Sequence, residues 1–245
     1  MNISIILFLL AAIYPNVPNK CDQDIYYLNG QINRSASEDF HHFLSTCGAP
    51  KKLLVRSGGG DSHAAIEIAE GIVTYNLDVE VDSICLSACA LFIALAANRL
   101  FLDVNDAIGF HHSQYGLKRF FDAAYSDANL DWERLNNGAA VELSFFERHD
   151  LDTAWLTKPM EIIGIRCVFL GRDKDGATPN YKAQRHMWIP SHDAFDNAVV
   201  VEGEGNGKQR ILERYKVLRG GTLSSTVVVS RSSLDLVDRI EKCDP

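Results

Sequence analysis

Between residues 24 and 112 the chain switches repeatedly between two hydrophobic rhythms. "DIYYLNGQI" (24–32) is rich in β-branched and aromatic residues and stops at a glycine turn, which predicts a strand. In "SEDFHHFLSTC", Ser37 offers an N-cap, and Phe40, Phe43 and Leu44 fall on one face of a short helix. "KKLLVRS" (51–57) has an apolar centre, as expected of a strand covered on both faces. After a triglycine turn, Ala64, Ala65, Ile68, Ala69 and Ile72 recur at helical spacing. "LDVEVDSI" alternates as a strand, and "SACALFIALAAN" is apolar on every side, the pattern of a wholly buried helix. "RLFLD" and "AIGFH" read as two more short strands. The order is β-α-β-α-β-α-β-β. Strands separated by helices in this way predict a mainly parallel α/β core with right-handed crossovers.

Beyond residue 112 the rhythm becomes helical through "SQYGLKRFFDAAYSDANLDWERLNNGAAVELSFFERHD" and "TAWLTKPM". Phe120, Phe121, Tyr125, Trp132, Phe145 and Phe146 supply the apolar face of this helical insertion. "IIGIRCVFLG" predicts a strand, "RDKDGATPNYKAQ" a polar loop, "HMWIP" an extended piece, "SHDAF" a short helix and "AVVVE" a last strand. After Glu202, "GEGNGKQ" has linker composition; β-like "STVVVSRSS" and helical "LDLVDRIEK" come after it. The expected division is a leader over 1–20, one domain over 21–202 and a C-terminal extension over 203–245.

Composition narrows the classes. The 245 residues are 47% hydrophobic and 23% charged, ordinary values for a soluble globular protein. Lys+Arg 24 against Asp+Glu 32 gives a net charge of -8 with no basic stripe, so no nucleic-acid partner is expected. Ile5 to Tyr14 is apolar, too short to span a bilayer comfortably, and is followed by a Pro/Asn break. That is the shape of a secretory signal, although no Lys or Arg precedes it; a short buried helix or a membrane anchor is the competing reading. The expected location is periplasmic or secreted, with membrane attachment only through an uncleaved N-terminus. Cys21, Cys47, Cys85, Cys89, Cys167 and Cys243 are an even set, compatible with disulfides or with buried thiols. None has zinc-site spacing with another Cys or His, so no metal and no cofactor are expected.

Three segments carry chemistry. Ser87 stands where a strand hands over to an apolar helix, so amides near it can stabilise negative charge. An ordinary helix cap is the plainer role for such a serine. The "SGGG" turn (57–60) ends one strand and opens a helix, placing glycine amides at the carboxyl ends of the strands. A phosphate cradle is disfavoured because no GK[ST] follows and Asp61 would repel the anion. In "IGFHHS", His111 or His112 closes a short strand, and alternation lets only one of the pair face a site. A histidine there is suited to take a serine proton as general base, or equally to serve as a structural hydrogen-bonding group.

In order and spacing, "LNGQI", "LLVRSGGG", "ICLSACALFIALAANRLF" and "IGFHHS" resemble the proteolytic subunit of the Clp protease. They are most similar to its exported, stand-alone bacterial relatives within the wider crotonase-like fold. The resemblance covers residues 24 to 115 well and extends loosely to 202. It implies stacked β-α-β units, a serine peptidase with Ser87 as nucleophile and His111 as base, and an oxyanion hole from the amides of Gly59 or Gly60 and of Ala88. It also implies a peptide or protein substrate and a homo-oligomer. No loop for docking an ATPase unfoldase is recognisable. The chain departs from the family where Gly58 replaces a usual proline, and where His186 falls at the position of the third catalytic acid. Asp106, Asp150 and Asp193 are the alternative orienting acids. Cys85 and Cys89, flanking Ser87, either pair to brace the turn or are two small buried residues. Two other functions share this scaffold: a catalytically inactive binding or assembly protein, and a crotonase-type acyl-CoA enzyme. Export and the lack of a basic cluster for the coenzyme's phosphates count against the latter.

Overall fold

The computed structural model describes residues 19–103, 106–124, 131–163, 166–172, 179–184, 187–190, 194–201 and 227–230. Residues 1–18 of the expected leader over 1–20, His186, Asp193 and most of the expected C-terminal extension lie outside the described residues.

The β-α-β series is present element for element: β1 (Ile25–Asn29), α1 (Arg34–Cys47), β2 (Lys52–Ser57), α2 (Ser62–Thr74), β3 (Asp78–Leu86), the short helix α3 (Cys89–Ala94), β4 (Leu100–Asp103) and β5 (Ala107–Gly109). The main sheet runs β1-β2-β3-β4-β9, with β9 at Ala198–Val201, and β5 lies beside the second half of β3. Every pairing in it is parallel. Parallel strands need crossovers that cover the sheet, so their apolar residues are buried. Leu53, Val55, Val79, Leu100 and Leu102 accordingly have essentially no exposure.

The helical insertion comprises α4 (Gln114–Ala124), α5 (Trp132–Arg148) and α6 (Ala154–Ile163). Phe92 of α3 meets Phe145 and Phe146 of α5 edge to face, at centroid separations of 5.9 and 6.3 Å, so insertion and sheet share one core. Strand β8 (Met187–Pro190) joins the same body through reciprocal 2.8 Å hydrogen bonds between Phe110 and Trp188 backbones. Strand β10 (Val227–Ser230) pairs in parallel with β8. Among the described residues no helix is long and apolar enough to cross a membrane.

Three local expectations are corrected. Helix α1 begins earlier than expected: Asn33 Oδ1 accepts from Ala36 N at 3.0 Å and is the cap. Ser37 lies inside the helix, buried, and donates to Glu67 of α2 at 2.6 Å. The apolar run after Ser87 forms only one wide turn of π-type helix, not a helix reaching Asn98. Its chain is already leaving for β4 at Asn98, whose N–H donates to Leu77 O at 3.0 Å. Part of the expected polar loop over 172–184 is strand β7 (Pro179–Gln184), antiparallel to β6 (Arg166–Arg172).

Candidate active site

The site begins with an irregularity in β3. Its register with β2 passes from Val55↔Val81 to Ser57↔Cys85, so β3 bulges, and Ser83 takes the left-handed conformation at φ 82°. Asp106 stabilises that bulge. One carboxylate oxygen accepts from Ser83 N at 2.9 Å and the other from Asp103 N at 2.7 Å. Burial pushes this carboxyl above its ordinary value. Asp106 is therefore placed as a brace between the start of β5 and the bulge of β3.

Two residues past the Cys85 register point, the backbone turns sharply at Ser87, whose φ is 61°. A non-glycine residue held in this region is costly and persists only where its surroundings fix it. Here Ser87 N donates to Gly109 O at 2.7 Å, Ser87 O accepts from Leu91 N at 2.9 Å, and a disulfide joins Cys85 to Cys89 across the turn. Both cysteines are fully buried. The turn is thus held by a strand on one side and by a covalent link around it. Because α3 has only six residues, stabilisation of charge near Ser87 falls to individual amides and not to a helix dipole.

His111 arrives from β5. Strand alternation turns Phe110 into the core at 1% exposure, against Trp155, Trp188 and Phe195, and sends the next side chain the other way. Ser87 Oγ and His111 Nε2 are hydrogen bonded. His111 Nδ1 lies 3.0 Å from His112 O. A carbonyl only accepts, so Nδ1 carries the proton and Nε2 presents its lone pair to the Ser87 hydroxyl. This is the tautomer a general base needs. His112 is buried and contributes its backbone carbonyl.

The glycine turn packs directly on Ser87. Gly59 has φ 92°, and a Cβ there would stand 2.5 Å from both Leu86 O and Ser87 Cβ. Gly60, at φ 156°, presses on the strand-like residue Ile32, where a Cβ would meet the carbonyl oxygen at 1.9 Å. Both positions require glycine. Ser57 shapes the turn from beneath, donating to Gly30 O at 2.6 Å and accepting the Gly59 N–H at 3.0 Å. Since the Gly59 amide is engaged there, Gly60 and Ala88 are the amides of the expected set that suit an oxyanion.

Asp150 is exposed in the left-handed turn that ends α5, at φ 52°. The adjoining Arg148 and His149 bind Glu70 of α2, which fastens the insertion to the sheet layer. Among the described residues no grouping of His, Cys, Asp and Glu could hold a metal ion. Sequence reasoning missed Glu142. It is 1% exposed on α5 and accepts from Tyr115 N at 2.9 Å. Its signal was a carboxylate on an apolar face, three positions from Ala139 and from Phe145.

No family model and no curated protein matches the sequence. Similar solved structures include a point mutant of ClpP1 from Listeria monocytogenes, 18% identical at TM-score 0.41, covering 56% of this chain and 79% of that one. ClpP1 from Listeria monocytogenes is 19% identical at TM-score 0.33, over 49% of this chain and 80% of that one. A structure described only as an enzyme is 13% identical at TM-score 0.40, over 57% of this chain and 86% of that one.

Proposed function

We propose that this chain is a serine-type hydrolase of the Clp-protease class that cleaves peptide bonds with Ser87 as nucleophile and His111 as general base. One observation carries the reading: a serine hydroxyl on a constrained left-handed turn is bonded to the unprotonated nitrogen of a histidine whose other nitrogen is fixed by a carbonyl. In the proposed reaction the Ser87 proton passes to His111 Nε2 as Oγ attacks the substrate carbonyl. The Gly60 and Ala88 amides hold the resulting oxyanion. His111 returns the proton to the departing amine, and water, deprotonated by the same nitrogen, then releases the acyl group from Ser87. No metal, nucleotide or coenzyme enters.

The substrate is a peptide or an unfolded protein segment, acted on by a homo-oligomer outside the cytoplasm and without an ATPase partner. The apolar stretch expected as a leader and the Cys21–Cys47 and Cys85–Cys89 disulfides support that setting. A second reading is a binding or assembly protein that keeps the scaffold without turnover. It is favoured by the sequence, which has His186 where the resemblance expects the third catalytic acid. Labelling of the full chain with a fluorophosphonate decides between them. Wild type should label and Ser87→Ala should not; a wild type that stays unlabelled, or a Ser87→Ala variant that labels as strongly, ends the hydrolase proposal.

A further inference from the structure

We propose that Glu142 is a positioning residue for His111, acting through the backbone that joins His111 to α4. This role rests on the hydrolase reading, and the residues just C-terminal to the histidine are where it originates. His112 supplies the carbonyl that fixes His111 Nδ1, and Ser113, Gln114 and Tyr115 lead straight into α4. The direction of the His112 carbonyl therefore depends in part on what holds residues 113–115.

Glu142 holds them from α5. Its Oε2 accepts from Tyr115 N at 2.9 Å. The first amides of a helix have no partners within it, and here a buried carboxyl from another helix takes up that of Tyr115. The remaining contacts of the segment point the same way. Ser113 Oγ lies 2.7 Å from Leu156 O of α6 and accepts Gly116 N at 2.7 Å. Gly138, one turn before Glu142 on α5, leaves room for the Gln114 amide, whose oxygen would stand 1.8 Å from a Cβ there. Two helices, α5 and α6, thus close on residues 113–115, with Glu142 as the buried carboxyl among the contacts.

A carboxylate at 1% exposure on an otherwise apolar face is expensive to keep, and burial pushes it up to about 7. A helix start needing only a cap is served by a local Ser, Thr, Asp or Asn, as Asn33, Asp61 and Asp131 serve α1, α2 and α5. Helix α4 has such a cap in Ser113, whose Oγ accepts from Gly116 N, and is held across the tertiary structure as well, at the helix start that directly follows the proposed base. Loosening it lets the carbonyl swing and frees the imidazole to rotate or change tautomer.

The test uses the full chain with ¹⁵N-labelled histidine, His111 being assigned by its loss in His111→Gln. Wild type should show the Nδ1-protonated tautomer with a slowly exchanging, downfield ring proton. Glu142→Leu keeps the volume and removes the acceptor; it should fold, lose that proton signal to exchange, and label with fluorophosphonate about 10- to 100-fold more slowly at saturating probe. Glu142→Gln keeps an acceptor oxygen and should restore both readings. Should the leucine variant not fold, Glu142→Asp, which withdraws the carboxylate by one bond, is read in the same way. A folded leucine or aspartate variant with the wild-type His111 signal overturns the inference. The ring signal reports positioning even if wild type never labels, in which case the hydrolase reading falls and the positioning role is judged by the signal alone.

Discussion

The sheet layer over residues 25–112 and the helical insertion over 113–163 divide the work of the site differently. The sheet layer presents the proposed reacting groups: Ser87 at the end of β3, the glycine turn at the end of β2, and His111 just past β5. The insertion presents none of them, yet three of its contacts hold the chain leaving His111. Chemistry built at strand ends inherits the stiffness of a parallel sheet. Orientation of His111 draws on more than the sheet: β5 has only three residues, and the chain beyond it meets β8 at Phe110 and the insertion at residues 113–115. The difference separates two kinds of residue, those whose loss removes the reaction and those whose loss blurs it.

The sharpest form of that contrast is His111 against its neighbour. His111→Gln should lower the fluorophosphonate labelling rate by about 10⁴-fold, the scale on which a misdirected catalytic histidine acts. His112→Gln keeps the carbonyl that the backbone supplies and should cost far less in labelling. Equal losses from both would remove the distinction between a reacting and a supporting histidine. Next in size is Phe92→Ala, which empties a fully buried site shared by α3 and α5 and should destabilise by about 3–5 kcal/mol in urea unfolding. A single shifted transition means that sheet and insertion unfold together. Two separated transitions would show them to be independent bodies.

Legibility in the sequence follows the same division. The β-α-β order of residues 24–112 could be read because each element states its own period: alternate burial in β2, and Ala64, Ala65, Ile68, Ala69 and Ile72 on one face of α2. Ser87, the glycine turn and His111 were legible as a spaced pattern, and the structure brings all three together. What could not be read depends on partners distant in sequence. The Gly59 amide turns towards Ser57 because Ser57 is in turn anchored on Gly30. Asp106 looks like a free acid until the bulge at Ser83 exists to receive it. The capping error at α1 is local: Asn33 and Ser37 are both good caps, and only contact with Glu67 decides that the serine goes inside. The apolar run of 87–98 misled for the opposite reason, since apolarity on every side marks burial and not helical length.

A smaller effect separates the regions by pH. The Glu142 carboxyl is raised from 4.5 to about 7 by burial, so the folded state binds its proton more tightly than the unfolded chain does. Its contribution to stability is then fully present below the unfolded value and is lost as pH rises through the folded one. Between pH 4.5 and 7 that amounts to about 3 kcal/mol. Glu142→Gln should flatten this slope in urea midpoints measured across the interval. A variant retaining the full slope would place the titrating group elsewhere.

The smallest stability effect tests whether the sheet layer also needs help to hold its nucleophile. The Cys85–Cys89 link closes a loop of only a few residues, so by loop entropy its removal in Cys85→Ala/Cys89→Ala should cost about 2 kcal/mol. The effect on labelling should be disproportionate, because the link spans the one residue whose left-handed backbone aims the hydroxyl at His111. If the pair is removed and labelling falls more than tenfold while the folded fraction under assay stays near unity, the disulfide acts on the turn itself. If labelling is unchanged, the bonds of Ser87 to Gly109 and Leu91 hold the turn unaided, and the sheet layer is self-sufficient where the histidine is not. That outcome would leave the two regions more unlike than they now look, with one proposed catalytic group fixed by its own strand and the other drawing also on the helical insertion.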